Sequence, residues 1–148
     1  MLAQAPDVAR VEIGRLRTLA QQELIPNLGK PFHLGPEFDS SKPGKLQRIA
    51  AEADLICDGL LLDIKTQLGV KNSAGVRTDT LDASHIYQLL AYAVLDHSDT
   101  YRIDKLGLYS ARYGSLVVWP LEYVTSTMAG EPVDFTAARQ EIWDMLYA

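Results

Sequence analysis

Glu52, Asp54, Asp63 and Lys65 stand out because almost everything between them is apolar: Leu55-Ile56-Cys57, then Asp58-Gly59, then Leu60-Leu61-Leu62. Asp-Gly between two apolar runs is a strong short-range signal for a hairpin with a two-residue turn. With Asp58 and Gly59 as the turn, Cys57 faces Leu60, Ile56 faces Leu61 and Leu55 faces Leu62. Asp54 then falls opposite Asp63, and Glu52 opposite Lys65. Side chains alternate along a strand, so these four charged residues share one face, while Ala53, Leu55, Leu60, Leu62 and Ile64 make a core face on the other. Carboxylates directly opposed across a hairpin sit about 5 Å apart and repel. Lys65 or a bound cation must offset that repulsion. Oxygen donors with open water positions suit Mg²⁺ or Mn²⁺ far better than zinc.

The flanking sequence supplies elements that hold such a hairpin. Residues 7–24 read as an amphipathic helix, with Val8, Leu16, Leu19 and Ala20 on one arc and Arg10, Arg17 and Gln21 opposite. Asp7 suits its N-cap and Pro26 its stop. Glu12 and Glu23 project onto the apolar arc, an awkward place for a carboxylate. Residues 25–43, with Pro26, Gly29, Pro31, Gly35, Pro36 and Pro43, read as an ordered loop of a length that is often functional. Residues 67–82 are polar and read as a mobile loop. A second helix is predicted over residues 83–96, with Ile86, Leu89, Leu90, Ala93 and Val94 as its apolar side. Strands follow at 105–112 and 115–119, joined through Tyr113-Gly114, and a last helix runs from an N-cap at Asp134 to about Tyr147. The pattern describes one α/β domain spanning residues 1–148.

Asp54, followed nine residues later by Asp63-Ile64-Lys65 across a hairpin, resembles the motif of the PD-(D/E)xK nuclease superfamily, with Ala53 in place of the usual proline. Gln88-Leu89-Leu90-Ala91-Tyr92 on the following helix is similar to the QxxxY motif of its RecB-type branch. The resemblance covers residues 7–119 and implies a restriction-endonuclease-like α-β-β-β-α-β core, a mixed sheet flanked by helices, to which the last helix is added. It further implies that Asp54, Asp63 and the Ile64 carbonyl bind a divalent metal, Mg²⁺ or Mn²⁺. Lys65 would position or deprotonate water or stabilise phosphate charge. Gln88 and Tyr92, one helical turn apart, would orient the site and contact the nucleic-acid backbone. The family often adds a glutamate from the first helix; Glu12 and Glu23 are the candidates, with Glu23 favoured for lying nearer the helix end. A divalent ion at such a site draws a nucleophile from water near neutral pH and neutralises a scissile phosphate. The expected activity is hydrolysis of phosphodiester bonds in DNA.

Other readings attach to the same residues. Asp63 and Lys65 also suit a solvated strand pair, and Gln88 and Tyr92 the polar edge of a helix. His85, a turn before Gln88, suits either a phosphate contact or a surface position. Tyr109, Tyr113 and Trp119 suit base stacking or packing. Lys42, Lys45, Arg48, Lys71, Arg77 and Arg112 suit a phosphate track or scattered solvated charges. The alternatives in function are a silent nuclease-fold module for binding or assembly, and a toxin or defence nuclease needing a partner. A small domain leaves a homodimer or protein partner open.

Composition narrows the field. The chain has 148 residues, 47% hydrophobic and 22% charged, with a net charge of −5. That charge argues against a bulk electrostatic DNA binder but not against an enzyme whose carboxylates hold metal. One cysteine, Cys57, excludes an internal disulfide and a cysteine-based metal cluster, and it reads as core in a reducing cytoplasm. No apolar run approaches a membrane span, and residues 1–6 lack the features of a signal peptide, so a cytoplasmic protein without membrane contact is expected. Phosphate-binding GxxxxGK[ST] loops, GxGxxG turns, GxSxG elbows and HExxH helices are missing.

Overall fold

The computed structural model describes residues 6–38 and 51–146. Its principal sheet has five strands in the order β1 (Phe32–Leu34), β4 (Leu55–Cys57), β5 (Leu60–Lys65), β6 (Lys105–Ser110) and β7 (Ser115–Pro120). A two-stranded sheet pairs β2 (Glu37–Phe38) with β3 (Ala51–Glu52). β5 and β6 run parallel and the other neighbours antiparallel, so the sheet is mixed. Helix α2 (Ala83–Leu95) makes the crossover between the parallel pair, as such a connection requires.

The hairpin forms in the expected register: Cys57 opposite Leu60, Ile56 opposite Leu61, Leu55 opposite Leu62. Asp58 and Gly59 both take positive φ, 47° and 74°, which defines the type I′ turn that matches strand twist. Pairing then stops earlier than alternation alone implies. At Ala53 and Asp54 the chain bends away, with the Ala53 N–H donating to the Pro36 carbonyl and the Gly35 N–H to the Asp54 carbonyl, both at 3.1 Å. Glu52 therefore pairs with Glu37 in the small sheet, not with Lys65. Non-local pairing with the 32–38 segment outcompeted the simple extension of the hairpin.

Both faces of the sheet are core. Ile56, Leu61 and Leu106 pack under α2 through Leu89, Ala93 and Leu95, joined by Leu121 and Val124. Leu55, Cys57, Leu60, Leu62 and Tyr109 pack on the other side against Leu16, Ala20 and Leu24. The mixed sheet is thus flanked by helices, as expected, and Asp63 and Lys65 sit where the α2 face reaches the carboxyl ends of β5 and β6.

The first helix, α1 (Asp7–Leu19), continues into a π turn at Ala20–Leu24 and a 3₁₀ turn at Ile25–Asn27 that contains Pro26. Asp7 is its first residue, and Pro6 takes the N-cap position without a side-chain cap. The segment expected to be loop carries β1 and β2, short strands between Pro31 and Pro36 and just after it; its residues 39–43 lie outside the described residues. Helix α3 (Leu121–Ala129) was not expected; Pro120 precedes it, Glu122 opens it and Gly130, at φ 76°, closes it. The last helix, α4 (Phe135–Leu146), is capped as expected, with Asp134 Oδ1 accepting the N–H groups of Thr136 and Ala137; Tyr147 lies outside the described residues. Among the described residues no helix is long and apolar enough to cross a membrane.

Candidate active site

Strand β5, helix α2 and the bend before β4 bring five of the singled-out residues together. Asp63 and Lys65 are two apart on β5 and so lie on one face, and Asp63 is only 5% exposed. Lys65 Nζ stands 2.8 Å from Asp63 Oδ2 and donates to Gln88 Oε1 at 2.9 Å. Gln88 Nε2 in turn donates to the Tyr92 hydroxyl at 2.8 Å, using the one-turn spacing of the helix. Tyr92 is fixed from behind by Phe38 of β2, with ring centroids 5.8 Å apart and an interplanar angle of 20°.

Asp54 reaches the same place by a different route from a ladder pairing. It sits in the bend before β4, is exposed, and its Oδ2 accepts the Ile64 N–H at 2.6 Å. That N–H points off β5 beyond Leu55, the first residue of β4. A strand residue's N–H and C=O face the same neighbour, so the Ile64 carbonyl shares the edge that Asp54 occupies. The Lys65 carbonyl faces the other way and accepts the Ala111 N–H at 2.8 Å.

Asp63 Oδ2 is buried and accepts no hydrogen bond. The ammonium of Lys65 is close enough for charge neutralisation but outside hydrogen-bond geometry. The carboxylate takes its charge balance from Lys65 and keeps lone pairs for a further cation. A divalent cation suits the donors present. Two carboxylates and a carbonyl are hard oxygen ligands, and Mg²⁺ binds through one or two carboxylates while keeping several waters. Among the described residues no three His, Cys, Asp or Glu side chains form a ready-made ion cage, so an ion here would be largely hydrated.

The structure does not bring the helix glutamates into this group. Glu12 is held by Arg112, which also donates through Nε to the Thr66 carbonyl at 2.6 Å. Glu23 is exposed and lies against Gly114. Its charge adds to the effect of burial in pushing the Tyr109 hydroxyl pKa up.

Of the two positions open to His85, the structure departs from a fully exposed surface one. The residue is half-buried beside Lys65, and its Nδ1 is enclosed without a partner. Its i−3 spacing from Gln88 was the available signal. His33 packs edge-on to Tyr101, and His97 stacks on Trp143. Cys57 and Tyr109 are core. Trp119 packs against the core, and the Tyr113 hydroxyl accepts the Gly69 N–H at 3.2 Å. Of the possible phosphate track, Arg112 is engaged by Glu12, and Arg77 Nη1 donates to the Gly69 carbonyl at 2.7 Å. Lys42, Lys45 and Arg48 lie outside the described residues.

Comparison with known proteins returns no match among family models, curated proteins or solved structures.

Proposed function

We propose that the chain is a metal-dependent nuclease of restriction-endonuclease-like architecture, hydrolysing phosphodiester bonds in DNA with Mg²⁺ or Mn²⁺. The observation that carries this reading is the buried Asp63 carboxylate paired with Lys65 at 2.8 Å, at the head of the hydrogen-bonded chain through Gln88 to Tyr92. The order of elements gives it support: α1, three strands of the principal sheet, α2, then the parallel strand β6.

Asp54, Asp63 and the Ile64 carbonyl would hold the cation, which when bound supplies charge to activate water and neutralise the scissile phosphate. The remaining work falls to the side chains. Lys65 carries its ammonium at the mouth of the site, where it stabilises phosphate charge or orients the attacking water. Gln88 accepts one Lys65 proton and so fixes the direction of the other two. Tyr92, through its hydroxyl, fixes the amide of Gln88. Ordering of this kind lets a flexible lysine act from one position. A protein partner or a second copy could supply the targeting that one small domain lacks room for.

The test is cleavage of linear and circular DNA, single- and double-stranded, in Mg²⁺, Mn²⁺ or EDTA, beside the Lys65→Ala protein. Cutting that needs metal and is lost in the variant is expected. DNA binding without cutting under every condition would replace the enzyme by a binding or assembly module.

A further inference from the structure

A second space opens directly beyond Lys65. It is a cavity of about 350 Å³ outside the carboxyl ends of the parallel strands β5 and β6, the position at which open α/β sheets receive ligands. Leu108 and Ser110 of β6 make one side of it, Ser84 and His85 of α2 another, and the chain between β5 and α2 the third.

That third wall is built. Asn72 Oδ1 accepts the N–H groups of Ala74 and Val76 at 3.0 and 2.9 Å, and an isolated bridge joins Lys71 to Arg77. A Cβ at Gly69 would overlap the Thr78 carbonyl, so the two arms of the loop touch. Asp79 Oδ1 accepts from Ser110 Oγ at 2.8 Å and from the Thr80 N–H at 3.1 Å. Asp82 Oδ1 accepts the Ser84 N–H at 2.7 Å. Asp79 holds the wall through Oδ1, while Asp82 is engaged by both the N–H and the hydroxyl of Ser84.

We propose that this cavity receives the base and sugar of one unpaired nucleotide adjoining the phosphate at Lys65. The subsite rests on the nuclease function proposed above and gives it a substrate class, strands that are single or frayed at the point of cutting. Size is the first reason. Small-molecule sites span about 300–1,000 Å³, and a cavity at the lower end admits one nucleoside but not a base pair. Charge is the second. Lys65 lines one side, while the charges of Asp79 and Asp82 repel phosphate and Asp79 offers an acceptor to the amino and imino groups of a base or to a sugar hydroxyl. The third is shape: Leu68, Val70 and Leu108 supply apolar surface for the ring faces.

Fluorescence anisotropy of the full chain in Ca²⁺ tests this with a labelled single-stranded octanucleotide and a blunt hairpin duplex of the same composition. Cleavage of the same probes is followed in Mg²⁺. The single strand is expected to bind about tenfold or more tightly than the hairpin, the loss typical of a missing base contact. Asp79→Asn, and Leu68→Trp at a half-exposed wall position, should each collapse that difference, and an abasic nucleotide should weaken binding at one place in the strand. Equal binding of both probes, no binding of either, or selectivity untouched by both substitutions would overturn the subsite. Cleavage of both probes without selectivity would remove the subsite and leave the nuclease. Selective binding without cleavage in Mg²⁺ would do the reverse, leaving a single-strand receptor.

Discussion

Asp63 and Asp96 are buried to nearly the same degree, 5% and 3% exposed, at opposite ends of the face covered by α2. Asp96 follows the last residue of α2. Both of its oxygens are in use, accepting the N–H groups of Thr100 at 2.9 Å and Tyr101 at 3.1 Å. Nearby, Arg139 bonds Asp99 at 2.9 Å and the Ala93 carbonyl at 3.2 Å, with its guanidinium 5.2 Å from the centre of the Phe135 ring. This network fastens α4 to the end of α2 and leaves neither Asp96 oxygen to spare. Asp63, by contrast, has no backbone donor on its buried Oδ2, whose charged neighbour is the Lys65 ammonium at 2.8 Å. Burial of an acid therefore does not mark a site in this molecule; what distinguishes the two is whether backbone donors have satisfied it.

Substitutions should separate the two aspartates. Asp63→Asn keeps shape and removes charge, so cleavage should fall about thousandfold or more while the melting temperature moves only a few degrees. A melting temperature that collapses along with activity would make Asp63 architectural as well. Asp96→Ala should act in the opposite sense, losing about 2–3 kcal/mol in urea denaturation with the activity of the remaining folded protein unchanged.

The pH dependence distinguishes them next. Burial, outweighing the two backbone hydrogen bonds, pushes the Asp96 carboxyl above its ordinary value. The folded state thus holds that proton more tightly than the unfolded one. Its contribution to stability is fully present below about pH 4 and is lost as pH rises through the folded pKa. Melting curves of the wild type and Asp96→Asn across this range should show that decline in the wild type only. The smallest effect belongs to Tyr92→Phe, which keeps the stack on Phe38 and frees only the Gln88 amide. About 0.5–1.5 kcal/mol, or a two- to tenfold slower cut, is expected, measured against an unchanged melting curve.

The same contrast explains what could be read from the chain alone. The Asp58-Gly59 turn and the apolar period of α2 are local signals, and both predicted their elements and the registers near them. The meeting of Lys65 with Gln88 follows from those two together. β1 and β2 were hidden because strands this short, among prolines, are defined by distant partners rather than by their own residues. The bend at Asp54 depends on those same partners, which is why Asp54 reaches β5 through a backbone N–H and not across a ladder. α3 was obscured by its β-branched Val124, Thr125 and Thr127, although Glu122 and Gly130 marked its ends. The distinction between Asp63 and Asp96 lay beyond any local pattern, since it depends on where backbone N–H groups from other segments arrive.

Gln88 and Tyr92 each precede by one residue a fully buried core position of α2, Leu89 and Ala93. The side chains that aim Lys65 are thus carried by the segment whose amides should be among the slowest to exchange with solvent, opening only when the whole domain does. The loop wall around Asp79 has almost no buried residues, so its amides should exchange through small local openings. Reaction centre and nucleotide pocket would then run on separate clocks, and a strand could enter or leave many times while the lysine keeps its aim.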